Sequence, residues 1–241
     1  MGKKEDEPRF NPEFKKNSYP GFYIAFEGND GSGHTTQMEI VCKTFEEKNI
    51  DFAITEEPNE KYYLGDAIRF ILKRKLRIHP LDFQQMYIAN RHDHEEKLVI
   101  PTLETGKTLF SDRCFLSTIA YGSLKGNTDQ LIRQNIEFIT PDIIFLFDTP
   151  ADICIERIKK RLEKLEKFAN KSEQDKKLEL FERLSTLKKV GATYRSLSKR
   201  YPSMIKSLPG EKTIEEIYPV VFEHVSQHPK FYNSERIKKA N

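Results

Sequence analysis

The sequence contains no tryptophan, only three cysteines among 241 residues, and no long apolar run. Its longest run of this kind, residues 143–147, is far shorter than the ~20 residues that cross a bilayer, so we expect no membrane association. The charged start of the chain lacks the apolar core of a secretory signal. Cys42, Cys114 and Cys154 form no CxxC or zinc-binding spacing. We therefore expect a cytoplasmic protein whose cysteines are buried, reduced thiols.

The glycine and proline contents and the net charge are also low, and each low value excludes a class of protein. The 11 glycines and 12 prolines are too few for a collagen-like or low-complexity chain. The 40 basic residues nearly balance the 37 acidic ones, which leaves a net charge of +3. So small an excess does not indicate nucleic-acid binding, and we expect no nucleic-acid partner.

Short apolar runs of strand length alternate along the chain with longer amphipathic stretches. The predicted strands cover 22–26, 52–55, 108–111, 143–147 and 204–208. The predicted helices cover 35–48, 64–75, 81–104, 128–139, 151–168, 178–198 and 213–225. Alternating strands and helices predict an α/β, doubly wound domain with a five-stranded parallel sheet flanked by helices.

The polar ends and one basic segment define the predicted organisation of the chain. Residues 1–18 and 228–241 are interpreted as a disordered tail and a polar tail, and residues 19–227 as one domain. Within that domain, residues 157–189 contain 12 Lys or Arg against 6 Asp or Glu. This basic segment fits either a solvated helical hairpin or a lid that closes over an anionic ligand.

A glycine-rich turn between the first strand and the first helix is the most informative local pattern. Gly28 and Gly33 are separated by four residues, and Thr35 follows two positions later, which is the spacing of a phosphate-binding P-loop. Backbone N–H groups of such a loop cradle phosphates, and the threonine hydroxyl holds Mg²⁺. His34 stands where the motif has lysine. The predicted nucleotide-binding residues are Gly28, Asn29, Asp30, Gly31, Ser32, Gly33, His34, Thr35 and Thr36.

Three further segments appear in a fixed order after this loop. They are Thr-Glu-Glu-Pro at 55–58, Gln-Met-Tyr-Ile-Ala-Asn-Arg at 85–91, and an apolar strand that runs into Asp-Arg and a Ser-Thr pair within 106–121. Together with the loop, these segments resemble the thymidylate kinase family over nearly the whole chain. The resemblance implies a P-loop NTPase fold with a helical lid, ATP as phosphate donor, dTMP as acceptor, and a homodimer.

The resemblance also implies a role for individual residues. Asp30 is expected to contact the acceptor sugar, and Arg113 to hold the acceptor phosphate. Tyr87 is expected to stack on the base and Arg91, four residues later on the same helix face, to hydrogen-bond it. The remaining implied pocket residues are Ser117, Thr118 and Tyr121. Thr35 and Asp112 are the implied Mg²⁺ ligands. The implied catalytic residues are Asp112, Arg113, His34, Arg157 and Arg161.

The sequence departs from the family pattern at four positions. His34 replaces the loop lysine, and Glu56 stands where the family usually has arginine, so both changes remove positive charge. Gly122 stands where many members have glutamine, and Cys114 where a larger residue is common. Three interpretations follow: a dTMP kinase whose cations are relocated, a kinase for another nucleoside monophosphate, or a nucleotide-binding paralogue with weak catalysis.

Overall fold

A five-stranded parallel sheet forms the centre of the computed structural model, which describes residues 12–74, 76–168 and 184–231. The strands are β1 (Tyr23–Gly28), β2 (Phe52–Glu56), β3 (Thr108–Asp112), β4 (Ile143–Phe147) and β5 (Ile205–Leu208). Their order across the sheet is β2-β3-β1-β4-β5, and all neighbouring pairs are parallel. This arrangement confirms the predicted α/β class and the five parallel strands.

Helices cover both faces of the sheet. They are α1 (His34–Glu47), α2 (Tyr63–Arg74), α3 (Pro80–His94), α4 (Ile100–Glu104), α5 (Phe115–Gly122), α6 (Thr128–Arg133), α7 (Ala151–Phe168), α8 (Leu184–Arg200) and α9 (Ile214–Ser226). A π-helical stretch, Glu95–Val99, joins α3 to α4. Among the described residues, none of these helices is both long and apolar enough to span a membrane.

Alternate residues of β1 divide the core between the two faces. Ile24 and Phe26, together with Phe22 just before the strand, pack with residues of α1 and α9, whereas Ala25 packs with residues of α5 and α8. Every residue of β4 is buried, as expected for a strand that is covered on both faces. The sheet therefore holds the carboxyl ends of β1 and β3 side by side, at the edge where ligands bind in this architecture.

Three helical predictions differ from the structure. The sequence did not predict α5, because this helix has only eight residues and is buried on nearly all sides, which leaves little contrast between an apolar and a polar face. The stretch predicted as one helix over 81–104 contains the π-helical turn, because Pro101 has no N–H to continue the α-helical pattern. Helix α6 ends at Arg133 rather than 139, and the Ile139 N–H donates to the Glu95 carboxylate at 2.8 Å instead of to a helical carbonyl.

Both ends of the described chain pack on the domain. Phe14 stacks on Phe115 at 5.0 Å between ring centroids, and Lys16 forms a parallel bridge with Thr140. At the other end, the His228 ring stacks on Phe22, and Phe231 is buried in the core. Aromatic rings in residues 12–18 and 228–231 thus contact apolar partners in the domain, while the predicted bounds of the two tails stay a prediction. Residues 1–11, 232–241 and the centre of the predicted lid lie outside the described residues.

Candidate active site

The loop after β1 folds as a glycine-dependent turn at the start of α1. Gly31 and Gly33 have φ values of 80° and 97°, a left-handed conformation that favours glycine. A Cβ at Gly31 would also lie 2.5 Å from the Cys154 carbonyl oxygen. The turn directs the first N–H groups of α1 toward the sheet edge, where they form a site for an anion.

His34 does not extend away from the loop as the missing lysine would. Its Nδ1 lies 2.8 Å from Ser32 Oγ, and its Nε2 lies 3.1 Å from Asp112 Oδ1. The neighbouring Thr35 hydroxyl donates to the other Asp112 oxygen at 2.7 Å. The end of β3 is thus tied to the start of α1 through one carboxylate.

The Asp112 carboxylate stays ionised in this setting. Burial raises its pKa, but hydrogen bonds from His34 and Thr35 and the charge of Arg113 outweigh burial and lower the pKa to about 2. Magnesium typically takes one or two protein oxygens together with substrate phosphates and water. The touching hydroxyl of Thr35 and carboxylate of Asp112 fit that donor set.

Arg113 lies at the junction of the sheet edge and the loop. Its backbone has a φ of 72°, which is strained for a residue other than glycine. Two hydrogen bonds hold it: its N–H donates to Phe26 O at 2.9 Å, and Ser111 Oγ donates to its carbonyl at 2.6 Å. The guanidinium contacts the Asp30 carboxylate directly and donates to Gly28 O at 2.8 Å.

The sequence analysis did not identify Glu27, which supports this arrangement from behind. It is fully buried in β1, and its carboxylate accepts hydrogen bonds from the Cys114 N–H, the Ser117 hydroxyl and the Tyr194 hydroxyl at 2.7–2.9 Å. The signal was present in the sequence as a single charge within an apolar strand. Glu27 therefore fixes the start of α5 relative to the loop.

Two adjacent cavities open at this edge of the sheet. The first has a volume of about 390 Å³. Its lining includes the loop residues Asp30, Gly31, Gly33, His34, Thr35 and Thr36, the β3 residues Asp112 and Arg113, and three arginines, Arg69, Arg157 and Arg161. Glu56 also lines it, with its carboxylate 3.4 Å from Arg69. Backbone donors and arginines make this cavity suitable for phosphate groups.

The second cavity, of about 110 Å³, is more apolar and shares Asp30, Glu57, Arg69 and Arg113 with the first. Its lining includes Leu72, Phe83, Gln84, Tyr87, Ser117, Thr118 and Tyr121. Four predicted pocket residues, Tyr87, Ser117, Thr118 and Tyr121, are thus brought together. Gln84 and Phe83 are lining residues that the sequence analysis did not identify, although both lie one helical turn before Tyr87.

Arg91 lies behind the second cavity rather than in its lining, which differs from its predicted contact with the base. It is buried and donates to Glu57 at 2.8 Å, to Asn135 at 2.5 Å and to Thr118 at 2.7 Å. Burial raises the pKa of Glu57, but Arg91 and His94 more than reverse this effect and leave it below its ordinary value. In this structure Arg91 therefore supports the wall of the cavity.

Two other predicted residues connect the loop to the lid helices. The Arg157 guanidinium on α7 donates to Ser32 O at 3.0 Å and to Gly210 O at 2.9 Å. Asn29 is buried, and its side-chain amide donates to Leu187 O of α8 at 3.1 Å. The loop residues Gly28, Asn29 and Ser32 do not line the larger cavity.

Comparison with known proteins gives consistent matches. The family model for thymidylate kinase matches residues 26–219. A probable thymidylate kinase of Thermococcus gammatolerans is 31% identical over 207 residues, which cover 82% of this chain and 92% of that protein. A probable thymidylate kinase of Pyrococcus abyssi is 32% identical over 204 residues, with the same coverage. A thymidylate kinase of Desulfotalea psychrophila is 28% identical and covers 86% of this chain and 96% of its own.

Proposed function

This chain belongs to the thymidylate kinase family, and we propose that it transfers the terminal phosphoryl group of ATP to dTMP at the two adjacent cavities. One observation supports this assignment above the others. A phosphate-sized cavity at a P-loop and an aromatic cavity meet at Asp30 and Arg113, so a donor and an acceptor nucleotide can place their phosphates at the same point.

The larger cavity takes the donor phosphates in this proposal. Loop N–H groups and the start of α1 bind the phosphate oxygens, as the geometry of a helix N-terminus favours. Thr35 and Asp112 would hold Mg²⁺, which when bound neutralises phosphate charge. We assign the positive charge that His34 does not supply to Arg69, Arg157 and Arg161, because all three line the cavity.

The smaller cavity takes the acceptor nucleotide. Tyr87 and Tyr121 offer aromatic faces to the base, and Asp30 lies where the sugar enters. Arg113 binds the acceptor phosphate and places it in line with the donor. Phosphoryl transfer needs positioning and charge neutralisation above all, and the acceptor phosphate is already anionic, so no general base is assigned.

His34 acts in this scheme as a positioning residue. Its contacts with Ser32 and Asp112 hold the carboxylate of Asp112 beside the Thr35 hydroxyl. This assignment accounts for a loop without lysine, because the imidazole orders the Mg²⁺ ligands while arginines bind the phosphates.

We further propose a cytoplasmic homodimer. The three cysteines are buried and free, which suits a reducing compartment. Large apolar side chains remain exposed on β2, on α2 and at the start of α3, among them Ile54, Phe70 and Leu81. Exposed apolar side chains of this kind suit contact with a second copy.

The test is a phosphoryl-transfer assay on the purified chain. ATP and Mg²⁺ are supplied with dTMP, dUMP, dCMP, dGMP or AMP, and diphosphate products are separated by chromatography. We expect dTDP as the main product. Arg113→Met should lower kcat by about 10²- to 10³-fold, the effect of removing one preorganised charge from a transition state. Arg133→Met, on the exposed face of α6, is the matched control.

His34→Lys separates the proposal from its alternatives. Activity of the unmodified chain with dTMP supports relocated cations, and main activity with another acceptor indicates a different monophosphate kinase. Absence of product from every acceptor, with activity in the lysine variant, would identify a nucleotide-binding paralogue that has lost catalysis.

A further inference from the structure

Gln84 and Gly122 fit together at the wall of the smaller cavity. Gln84 lies on α3, three residues before Tyr87 and therefore on the same helix face. Gly122 ends α5, and a Cβ at this position would lie 2.9 Å from Gln84 Nε2 and 2.9 Å from Leu131 Cδ1. The Gln84 amide thus occupies the space that any larger residue at position 122 would need.

The Gln84 amide has an unused acceptor in this position. Its Oε1 is buried and has no hydrogen-bond partner among the described residues. A buried carbonyl oxygen without a donor is unfavourable, and such groups in native proteins are usually paired with protein, water or ligand. Gln84 lines the cavity with Tyr87 and Thr118. Because the last side-chain torsion of glutamine is broad, a turn of the amide would bring Oε1 to a base that is bound there.

We propose that Gln84 is a specificity-determining residue, whose Oε1 accepts a hydrogen bond from the N3–H of thymine while Gly122 keeps the space for the amide. This inference rests on the proposed function, because it assigns the smaller cavity to the acceptor base. Thymine and uracil carry a hydrogen on N3 between two carbonyl oxygens, whereas cytosine has none there. A site built around an acceptor for N3–H discriminates against a base that lacks this donor.

The test compares Gln84→Met with Gln85→Met. Methionine keeps much of the side-chain volume and removes the amide, and Gln85 is the exposed neighbour on the same helix. We expect Gln84→Met to weaken dTMP binding by roughly tenfold, the usual effect of losing one buried hydrogen bond. The KM for ATP should stay unchanged, and the preference for dTMP over dCMP should fall. The Gln85 variant should match the unmodified chain in all three.

A second variant tests the fit between the two residues. Gly122→Ala should displace the amide and weaken dTMP binding in the unmodified chain, but add little to the loss in Gln84→Ala, which leaves room for the new methyl group. Additive losses would show that the two positions act independently and would overturn the role assigned to Gly122. Melting temperatures of all variants identify any that lose the fold.

Binding measured by calorimetry separates this inference from the proposed function. If the unmodified chain binds dTMP without forming dTDP, and Gln84→Met weakens that binding, the proposed function fails and the inference stands. If the chain forms dTDP and Gln84→Met binds dTMP equally well, or loses dTMP and dCMP equally, the inference is overturned. Failure of the unmodified chain to bind dTMP overturns both.

Discussion

At the residue scale, the ionised carboxylate of Asp112 connects the end of β3 to the loop. Its ionisation makes the free energy of unfolding depend on pH. Its pKa is lowered to about 2 in the folded chain, against an ordinary value of 3.8. A lowered pKa stabilises the fold above about pH 4, and that contribution is lost as the pH falls toward 2. Asp112→Asn removes it.

We therefore expect the unfolding free energies of the unmodified chain and Asp112→Asn to converge by about 2 kcal/mol between pH 6 and pH 2. Urea unfolding at intervals of pH measures this convergence. Asp51→Asn, at an exposed site before β2, controls for the general effect of a lost charge. A constant gap between the two curves across this range would contradict the assigned contacts.

The buried ion pair of Arg91 and Glu57 also affects the free energy of unfolding. Arg91→Met leaves the Glu57 carboxylate buried without its main partner, which typically costs about 3–5 kcal/mol. We expect urea unfolding to show a loss of this size. Adding Glu57→Gln to the variant should restore part of the stability, because the uncompensated charge is then removed.

A direct role for Arg91 at the base would give a different pattern. In that case Arg91→Met would raise the KM for dTMP strongly while the unfolding free energy stayed near that of the unmodified chain. The measurements together therefore distinguish a residue that supports the cavity wall from one that contacts the ligand.

Sequence analysis identified the site residues that belong to a recognisable local pattern. The spacing of the glycines identified the loop from Gly28 to Thr35. The position of two charged residues at the end of an apolar strand identified the Asp112–Arg113 pair. Glu57 and Gln84 were not identified, because their importance depends on partners 34 and 38 residues away in Arg91 and Gly122. Such contacts depend on how α3, α5 and the loop after β2 pack, which spacing within one element does not specify.

At the scale of elements, segment 12–18 packs against the domain and contacts α5. It runs along the domain as an N-terminal strap, with Phe14 stacked on Phe115, the first residue of α5. Asn17 donates to Asp142 at 2.8 Å, and the same carboxylate lies 2.9 Å from Lys230 Nζ. The strap thus braces the helix that carries Ser117, Thr118 and Tyr121.

Removing the Phe14 ring should loosen α5. We expect Phe14→Ala to lower the unfolding free energy by about 1–2 kcal/mol, because the ring is partly buried and loses a stacking contact. The KM for dTMP should rise more than the KM for ATP, since α5 borders the smaller cavity. Val220→Ala, on the exposed face of α9, is the control. Equal changes in both KM values would argue against a specific effect on α5.

Element prediction succeeded where a segment has a distinct apolar pattern along the sequence. Helices α1, α2, α7 and α9 begin and end close to their expected residues because each has a solvated face, and the strands do so because each is a short apolar run between polar segments. The same criterion failed for α5, which is buried nearly all round, and for the strap, which has no regular pattern. Burial that comes from tertiary packing leaves little periodic signal in the local sequence.

At the scale of the whole molecule, the successive elements β2, α2 and α3 each expose a large apolar side chain, and we propose this side of the molecule for contact with a second copy. Ile54 on the edge strand β2, Phe70 on α2 and Leu81 at the start of α3 are 52%, 56% and 45% exposed. Because α3 also carries Gln84 and Tyr87, a second copy packed on this side would stabilise the helix that forms the acceptor pocket. The proposed homodimer and the proposed pocket are therefore linked through α3.

Sedimentation equilibrium tests this link. We expect the unmodified chain to sediment at twice its mass of 28.3 kDa, and Phe70→Glu to shift it toward the monomer, since a buried unpaired charge opposes association. The KM for dTMP should rise in the same variant because α3 loses its support. Val220→Glu, on the exposed face of α9, should leave both unchanged. A monomeric unmodified chain with full activity would exclude the dimer, and contacts within the chain, such as those of α3 with α2 and α5, would then hold the pocket.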